Sequence, residues 1–189
     1  MTESLAQAAK ATMTQGFTLW FTGLPSSGKS SIARRLERLF RKWGLKTELL
    51  DGDVVRTNLS KGLGFSREDR DINIKRIGFV AQLLTRNQVA ALVSAVSPFR
   101  EARDYNRRLV GSFVEVYVKA SVETCQKRDV KGLYQKAKAG EIKGFTGVDD
   151  PYEEPEHPEV VCDTDSENEE ESVAKVLGKL KEIGYLSFE

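Results

Sequence analysis

The stretch Gly23-Leu24-Pro25-Ser26-Ser27-Gly28-Lys29-Ser30 decides the reading of this chain. The apolar run Phe17-Thr18-Leu19-Trp20-Phe21 precedes it and a helical pattern follows, so the stretch joins a strand to a helix. In that setting Gly23 and Gly28 bracket a loop whose backbone N–H groups turn inward on an anion. Lys29 reaches the β- and γ-phosphates of a nucleotide, and the Ser30 hydroxyl is a ligand for Mg²⁺. The helix beginning here adds the positive end of its dipole, so a triphosphate meets aligned donors. A glycine turn with an incidental lysine would not need both the strand before and the helix after.

Working outward, Ile32, Leu36, Leu39, Phe40 and Trp43 recur at helical spacing, with Arg34, Arg35, Arg38, Arg41 and Lys42 between them. Those cations read as the solvated face of an amphipathic helix rather than a nucleic-acid patch. Thr47 to Leu50 reads as a strand running into Asp51-Gly52-Asp53, which sets two carboxylates at a strand's C-terminal edge, where parallel sheets hold ligands. Ser66 followed by Asp69 resembles a helix start, and Ile74, Ile77, Ala81 and Leu84 give the helix an apolar face. The run from Val89 to Val96 is apolar and rich in β-branched residues, as a strand buried on both faces should be. It carries no aspartate at its end to hold a magnesium water shell, so Asp51 and Asp53 are the expected substitutes.

Residues 101–109 read as a short helix and Phe113 to Val118 as a strand, with Ser121 capping the next helix. Lys131 to Tyr152 is Lys- and Gly-rich and poor in aliphatic residues. Phe145 stands between glycines there without periodic apolar partners, and the segment reads as a mobile lid over about residues 131–155. Val160-Val161-Cys162 is a last short strand, and Ser166 with Glu169 reads as a capping box for a closing helix over Val173, Val176, Leu177, Leu180 and Ile183. His157 lies alone among prolines and reads as a loop residue.

With 189 residues the chain suits one domain, expected over 16–189 after a loosely held extension at 1–15. Lys and Arg total 29 against 28 Asp and Glu, a formal charge of +1, which argues against a global field for nucleic acid or an acidic membrane. Cys125 and Cys162 form no CxxC pair, so neither a zinc site nor a disulfide framework is expected, and a reduced cytoplasmic setting follows. No apolar run approaches the roughly 20 residues of a membrane span, and no signal-peptide core is present.

Strands alternating with helices predict an α/β three-layer domain with a mostly parallel five-stranded sheet and a lid. Its ligand edge gathers the cradle, Asp51, Asp53 and Ser97. The cations Arg56, Arg67, Arg70, Arg100, Lys131 and Lys143 exceed what one triphosphate needs and suggest a second anionic ligand. A kinase with a small anionic acceptor follows, a carboxylate beside the metal orienting the attacking hydroxyl.

Several blocks together resemble the adenylylsulfate kinases: GLPSSGKS, DGDVVR at 51–56, LGFSREDRDINIKRIG at 63–78, SPFREARD at 97–104, KGLY at 131–134 and KAKAGEIKGFTGVDDPYEEPEHPE at 136–159. The resemblance spans about residues 17–186 and implies a three-layer P-loop NTPase fold of the nucleoside-monophosphate-kinase kind. It implies transfer of the ATP γ-phosphate to the 3′-hydroxyl of adenosine 5′-phosphosulfate, with Mg²⁺. ATP would lie on Gly23, Leu24, Pro25, Ser26, Ser27, Gly28, Lys29, Ser30 and Ser31, its adenine near Arg128 and Thr164. Asp51 and Asp53, with Ser30, would hold the metal and orient the acceptor hydroxyl, Asp51 in the base-like role. Arg56, Arg70 and Asn73 would bind the acceptor's sulfate–phosphate end and ribose, Phe65 and Phe145 would sandwich its adenine, and Val96, Ser97, Lys131 and Gly144 would complete its pocket. Ser97 also matches a serine labelled a phosphoenzyme intermediate in the family, a role opposed by the lack of an adjacent base and by in-line transfer needing no covalent step. The chain departs from the family at Pro25-Ser26-Ser27, which stiffens the cradle, and at Val130, where a proline is usual. The family is usually homodimeric and occurs alone or fused to ATP sulfurylase. A catalytically silent ATP-binding domain of such a fusion is the alternative reading.

Overall fold

The computed structural model describes residue 8 and residues 10–189. Five strands form one parallel sheet: β2 (Phe17–Thr22), β3 (Thr47–Asp51), β4 (Ala90–Ser94), β5 (Phe113–Lys119) and β6 (Val160–Asp163), in the order β3-β4-β2-β5-β6. The pleat sends alternate side chains to opposite faces. Phe17, Leu19 and Phe21 of β2 and Val114, Val116 and Val118 of β5 join one core with helices α1 (Lys29–Lys42) and α7 (Glu169–Glu182). Trp20, Ala91, Val93 and Phe113 face the other way into a second core with α3 (Arg67–Arg86) and α4 (Arg100–Val110). Strands covered on both faces are why β2 and β4 are apolar runs rather than alternating ones.

Helix α3 starts where Ser66 accepts from the backbone N–H of Asp69, as its sequence predicts. It meets α4 at Gly78, where a Cβ would stand 1.9 Å from Asn106 Oδ1, so the crossing excludes any side chain there. A short helix α2 (Gly52–Asn58), capped by Asp51, follows β3 and was not expected from the sequence. Helix α5 (Val122–Arg128) is capped by Ser121, as expected.

The capping box of α7 lies two residues later than Ser166 and Glu169 suggest: Asn168 accepts from Glu171 N and the Glu171 carboxylate returns to Asn168 N. The reason is a turn at the end of β6, where Ser166 and Glu167 donate their N–H groups to the Asp163 carbonyl and delay the helix. The stretch expected as a loose extension also differs. Residues 1–7 and 9 lie outside the described residues, but β1 (Ala11–Met13) pairs antiparallel with β7 (Leu186–Phe188), and Ala11 is buried against the first core. Trp43 donates from its indole to the Ala8 carbonyl beside this ribbon.

Candidate functional site

The sheet register places the site's parts at one level. Asp51, the last residue of β3, pairs with Ser94 of β4, which in turn pairs with Phe21 of β2 just before the glycine loop. The loop turns at Gly23, where a Cβ would meet the Val118 carbonyl at 2.3 Å, and again at Gly28, whose φ of 105° serves as the helix cap. No side chain caps α1, so its first N–H groups face the loop. Ser26 holds a left-handed φ of 63°, a conformation that favours glycine, which gives the stiff Pro25-Ser26-Ser27 run a local strain.

Lys29 is buried and donates to the carbonyls of Gly23 at 3.0 Å and Leu24 at 2.7 Å. Loss of hydration lowers its pKa to about 8, against opposing pulls from Cys125, Asp53 and Asp51. Ser30 Oγ donates to Asp51 Oδ2 at 3.3 Å and lies 3.0 Å from Ser94 Oγ, while Arg34 reaches the same Asp51 oxygen at 3.2 Å. The sequence pointed to an acid missing at the end of β4. Ser94 stands there instead, beside the acid supplied by β3.

These oxygens suit a hard cation such as Mg²⁺, which binds through one or two carboxylates and retains water and phosphate ligands. Among the described residues no group of three or more His, Cys, Asp or Glu converges, so protein ligands alone would not complete such a site. Asp53, the second residue of α2, is mostly exposed and ion-pairs with Lys131.

At the other end of the loop, Thr164 Oγ1 donates to the Ser27 carbonyl at 2.8 Å, and Arg128 bonds the Thr164 hydroxyl at 3.0 Å and carbonyl at 2.6 Å. A cavity of about 150 Å³ opens there, lined by Gly28, Ser31, Arg128, Thr164, Glu167 and Ser172 among others. Arg128 and Thr164 therefore adjoin the cradle although they lie about a hundred residues or more beyond it.

Most of the cations expected to form an anionic acceptor site are paired inside the chain. Arg70 donates to Phe65 O at 2.9 Å, to Thr146 Oγ1 at 2.7 Å and to Gly144 O, and faces Asp150 at 3.0 Å. Arg56 bonds the Gly64 carbonyl and lies 4.1 Å over the Phe65 ring. Arg67 and Arg100 contact acids of the segment 153–156. Asn73 is buried on α3 with an unpartnered Oδ1. Phe65 is largely exposed.

The segment 131–155 is more ordered than its composition suggests. It contains α6 (Leu133–Lys138), and Phe145, which has no periodic apolar partners in the sequence, finds non-periodic ones. Phe145 packs edge-on against Tyr134, ring centroids 5.0 Å apart, in a small core with Ala120 and Cys125. Tyr134 donates to the Pro25 carbonyl at 3.1 Å, tying the segment to the cradle. The partners escaped sequence reading because Tyr134 and Leu24 lie 11 and 121 positions away and share no periodicity with Phe145.

Ser97 is buried at a left-handed φ of 46°, and its hydroxyl accepts from the Trp20 indole at 3.0 Å. Its backbone carbonyl receives Arg103 at 2.5 Å. Sequence reasoning passed over Arg103, Glu115, Arg107 and Glu159, which form a continuous ion network behind this strand end. A lone Glu115 within the alternating run of β5 was its only signal.

Residues 15–163 match the adenylylsulphate kinase family. The chain is 60% identical over 173 residues to an adenylyl-sulfate kinase of Picosynechococcus sp., covering 92% of this chain and 98% of that protein. It is 61% identical over 173 residues to one from Rippkaea orientalis, covering 92% and 96%. In structure it is similar to the Mycobacterium tuberculosis APS kinase CysC in complex with AMPPNP and APS, with a TM-score of 0.85 and 41% identity over 88% of this chain and 98% of that one.

Proposed function

We propose, since the chain belongs to the adenylylsulfate kinase family, that its site transfers the γ-phosphate of ATP to the 3′-hydroxyl of adenosine 5′-phosphosulfate. The products are 3′-phosphoadenosine 5′-phosphosulfate and ADP, and the enzyme is a phosphotransferase with an alcohol acceptor. The observation that carries this reading is the convergence of Lys29, Ser30 and Asp51 at the sheet's ligand edge, with a second set of cations beyond them.

In this reading the loop amides and Lys29 hold the triphosphate, and Arg128 and Thr164 flank its adenine. Ser30 and Asp51 would hold Mg²⁺, which when bound neutralises charge on the β- and γ-phosphates. Asp53, exposed on the first turn of α2, would exchange its ion pair with Lys131 for the acceptor hydroxyl and orient it in line. Arg56 and Arg70 would exchange their present internal partners for the acceptor's anionic end and ribose, and Asn73 would offer the ribose its unpartnered Oδ1. Phe65 and Phe145 would stack on its adenine. Val96, Ser97, Lys131 and Gly144 would line the remaining walls. Ser97 has no base beside its hydroxyl, and its burial under Trp20 supports a structural role over a phosphoenzyme.

A cytoplasmic setting, a homodimer and association with ATP sulfurylase belong to the same reading. No described helix is long and apolar enough to cross a membrane. The reading is tested by ADP release from Mg·ATP with and without adenosine 5′-phosphosulfate, with adenosine 5′-monophosphate as control acceptor. Release that depends on the phosphosulfate supports it. Release indifferent to the acceptor, or none, favours the silent ATP-binding domain instead.

A further inference from the structure

Arg103 is 2% exposed, the most deeply buried cation among the described residues. Its guanidinium makes three separate bonds: Nε to Glu115 Oε1 at 2.8 Å, Nη1 to the Ser97 carbonyl at 2.5 Å and Nη2 to the Glu153 carbonyl at 2.6 Å. Its fork also lies 5.7 Å from the centroid of the Tyr152 ring, whose hydroxyl shares a 2.9 Å hydrogen bond with Thr22 Oγ1 at the end of β2. Arg103 and Arg107 together balance Glu115 and Glu159, two guanidiniums against two carboxylates, but the Nε bond alone gives Arg103 its share of that and the two Nη bonds go to backbone carbonyls. What Arg103 alone supplies is a bridge between two backbone carbonyls, that of Ser97, three residues past the end of β4, and that of Glu153 on the arm formed by residues 152–156 at the close of the lid segment.

We infer that Arg103 is a positioning residue for the acceptor: it locks the strand end at Ser97 to the lid arm at Glu153, so that both walls of the acceptor pocket move as one body. The inference rests on the acceptor pocket proposed above, which is lined by Ser97 and by the lid segment 131–155 that carries Glu153. The left-handed Ser97 backbone is a conformation that persists only where surrounding bonds over-determine it. Thr22 Oγ1 grips the neighbouring Val96 carbonyl at 2.7 Å, and Arg103 grips that of Ser97. On the arm, Glu153 N donates to Pro98 O at 2.9 Å and the Glu153 carboxylate accepts from Arg100 N at 2.8 Å, so two further bonds join Glu153 to the residues that follow Ser97. The nucleotide side, built on Ser27, Arg128 and Thr164, has no bond to Arg103.

The test is Arg103→Lys, which keeps the charge but replaces a planar fork by a point charge unable to span three acceptors. The expected result is a KM for adenosine 5′-phosphosulfate raised about tenfold or more, with the KM for ATP within about twofold of the native value. Equal rises in both constants, or no change in either, would overturn the inference. Hydrogen exchange on the native chain tests it without a variant. Added acceptor should protect the amides of residues 99–103 and 153–156 together, and protection of one segment without the other would also overturn it. Acceptor-dependent ADP release by the native chain, run in parallel, judges the kinase reading separately.

Discussion

Ser30 Oγ donates to Asp51 Oδ2 at 3.3 Å, although one residue opens α1 and the other ends β3. The second Asp51 oxygen caps α2 by accepting from Asp53 N at 3.1 Å, so one carboxylate serves a helix and the candidate metal position at once. Asparagine caps helices about as well as aspartate. Asp51→Asn should therefore leave stability within about 1 kcal/mol of native, while the missing charge lowers kcat by about a hundredfold or more. Thermal unfolding and Mg·ATP-dependent turnover check the two halves.

Lys29 gives the site a pH signature. Its folded-state pKa of about 8 lies below the ordinary 10.5, so burial of the charged ammonium opposes folding in full below pH 8. That penalty fades as pH rises from about 8 to 10.5, so the lysine's own contribution favours folding increasingly across this window. The shift corresponds to roughly 3 kcal/mol. Lys29→Met should raise the unfolding midpoint at pH 7 and abolish nucleotide binding. Phosphates restore the ammonium, so binding of Mg·ATP near pH 9 should take up a proton, measurable by calorimetry in two buffers of different ionisation enthalpy.

Phe145 is fixed by Tyr134 and by its own turn, in which the Asp149 carboxylate accepts from Gly144 N at 2.8 Å and Phe145 N at 2.5 Å. A preformed aromatic face suits stacking on a base, worth about 1–3 kcal/mol. Phe145→Ala should raise the acceptor KM by about fivefold or more on that scale and leave the KM for ATP unchanged. Steady-state kinetics with each substrate varied in turn decides it.

Two glycines in helix interiors should respond to alanine with opposite signs. At Gly78 a Cβ would overlap Asn106 Oδ1 at 1.9 Å, whereas at Gly178 in α7 no atom lies within 4 Å. Gly78→Ala should cost about 1–3 kcal/mol through forced displacement of α4. Gly178→Ala should gain about 0.5–1 kcal/mol through helix propensity. Urea unfolding of both variants measures the contrast.

Much of this was legible in the sequence because its signals were local. The strand–loop–helix around Lys29, the apolar run of β4 and the Ser66 cap each depend on neighbours within a few positions. The misses share a different origin. The α7 cap slid from Ser166 to Asn168 because a turn on Asp163 intervened, and Ala11–Met13 acquired a strand because Leu186–Phe188 came alongside it. Arg103 was passed over because its meaning lies in the carbonyls of Ser97 and Glu153, whose hydrogen bonding no sequence pattern encodes.

The sequence by itself determined that the chain is an α/β phosphate binder, since Gly23, Gly28, Lys29 and Ser30 act through short-range backbone geometry that their residue types dictate. It also determined which acids were available, Asp51 and Asp53. Only the tertiary structure decided between their positions: strand register set Asp51 beside Ser30 and Ser94, while the first turn of α2 carried Asp53 outward to Lys131. Register and packing join residues far apart in the chain, and that long-range choice is what placed the two carboxylates differently.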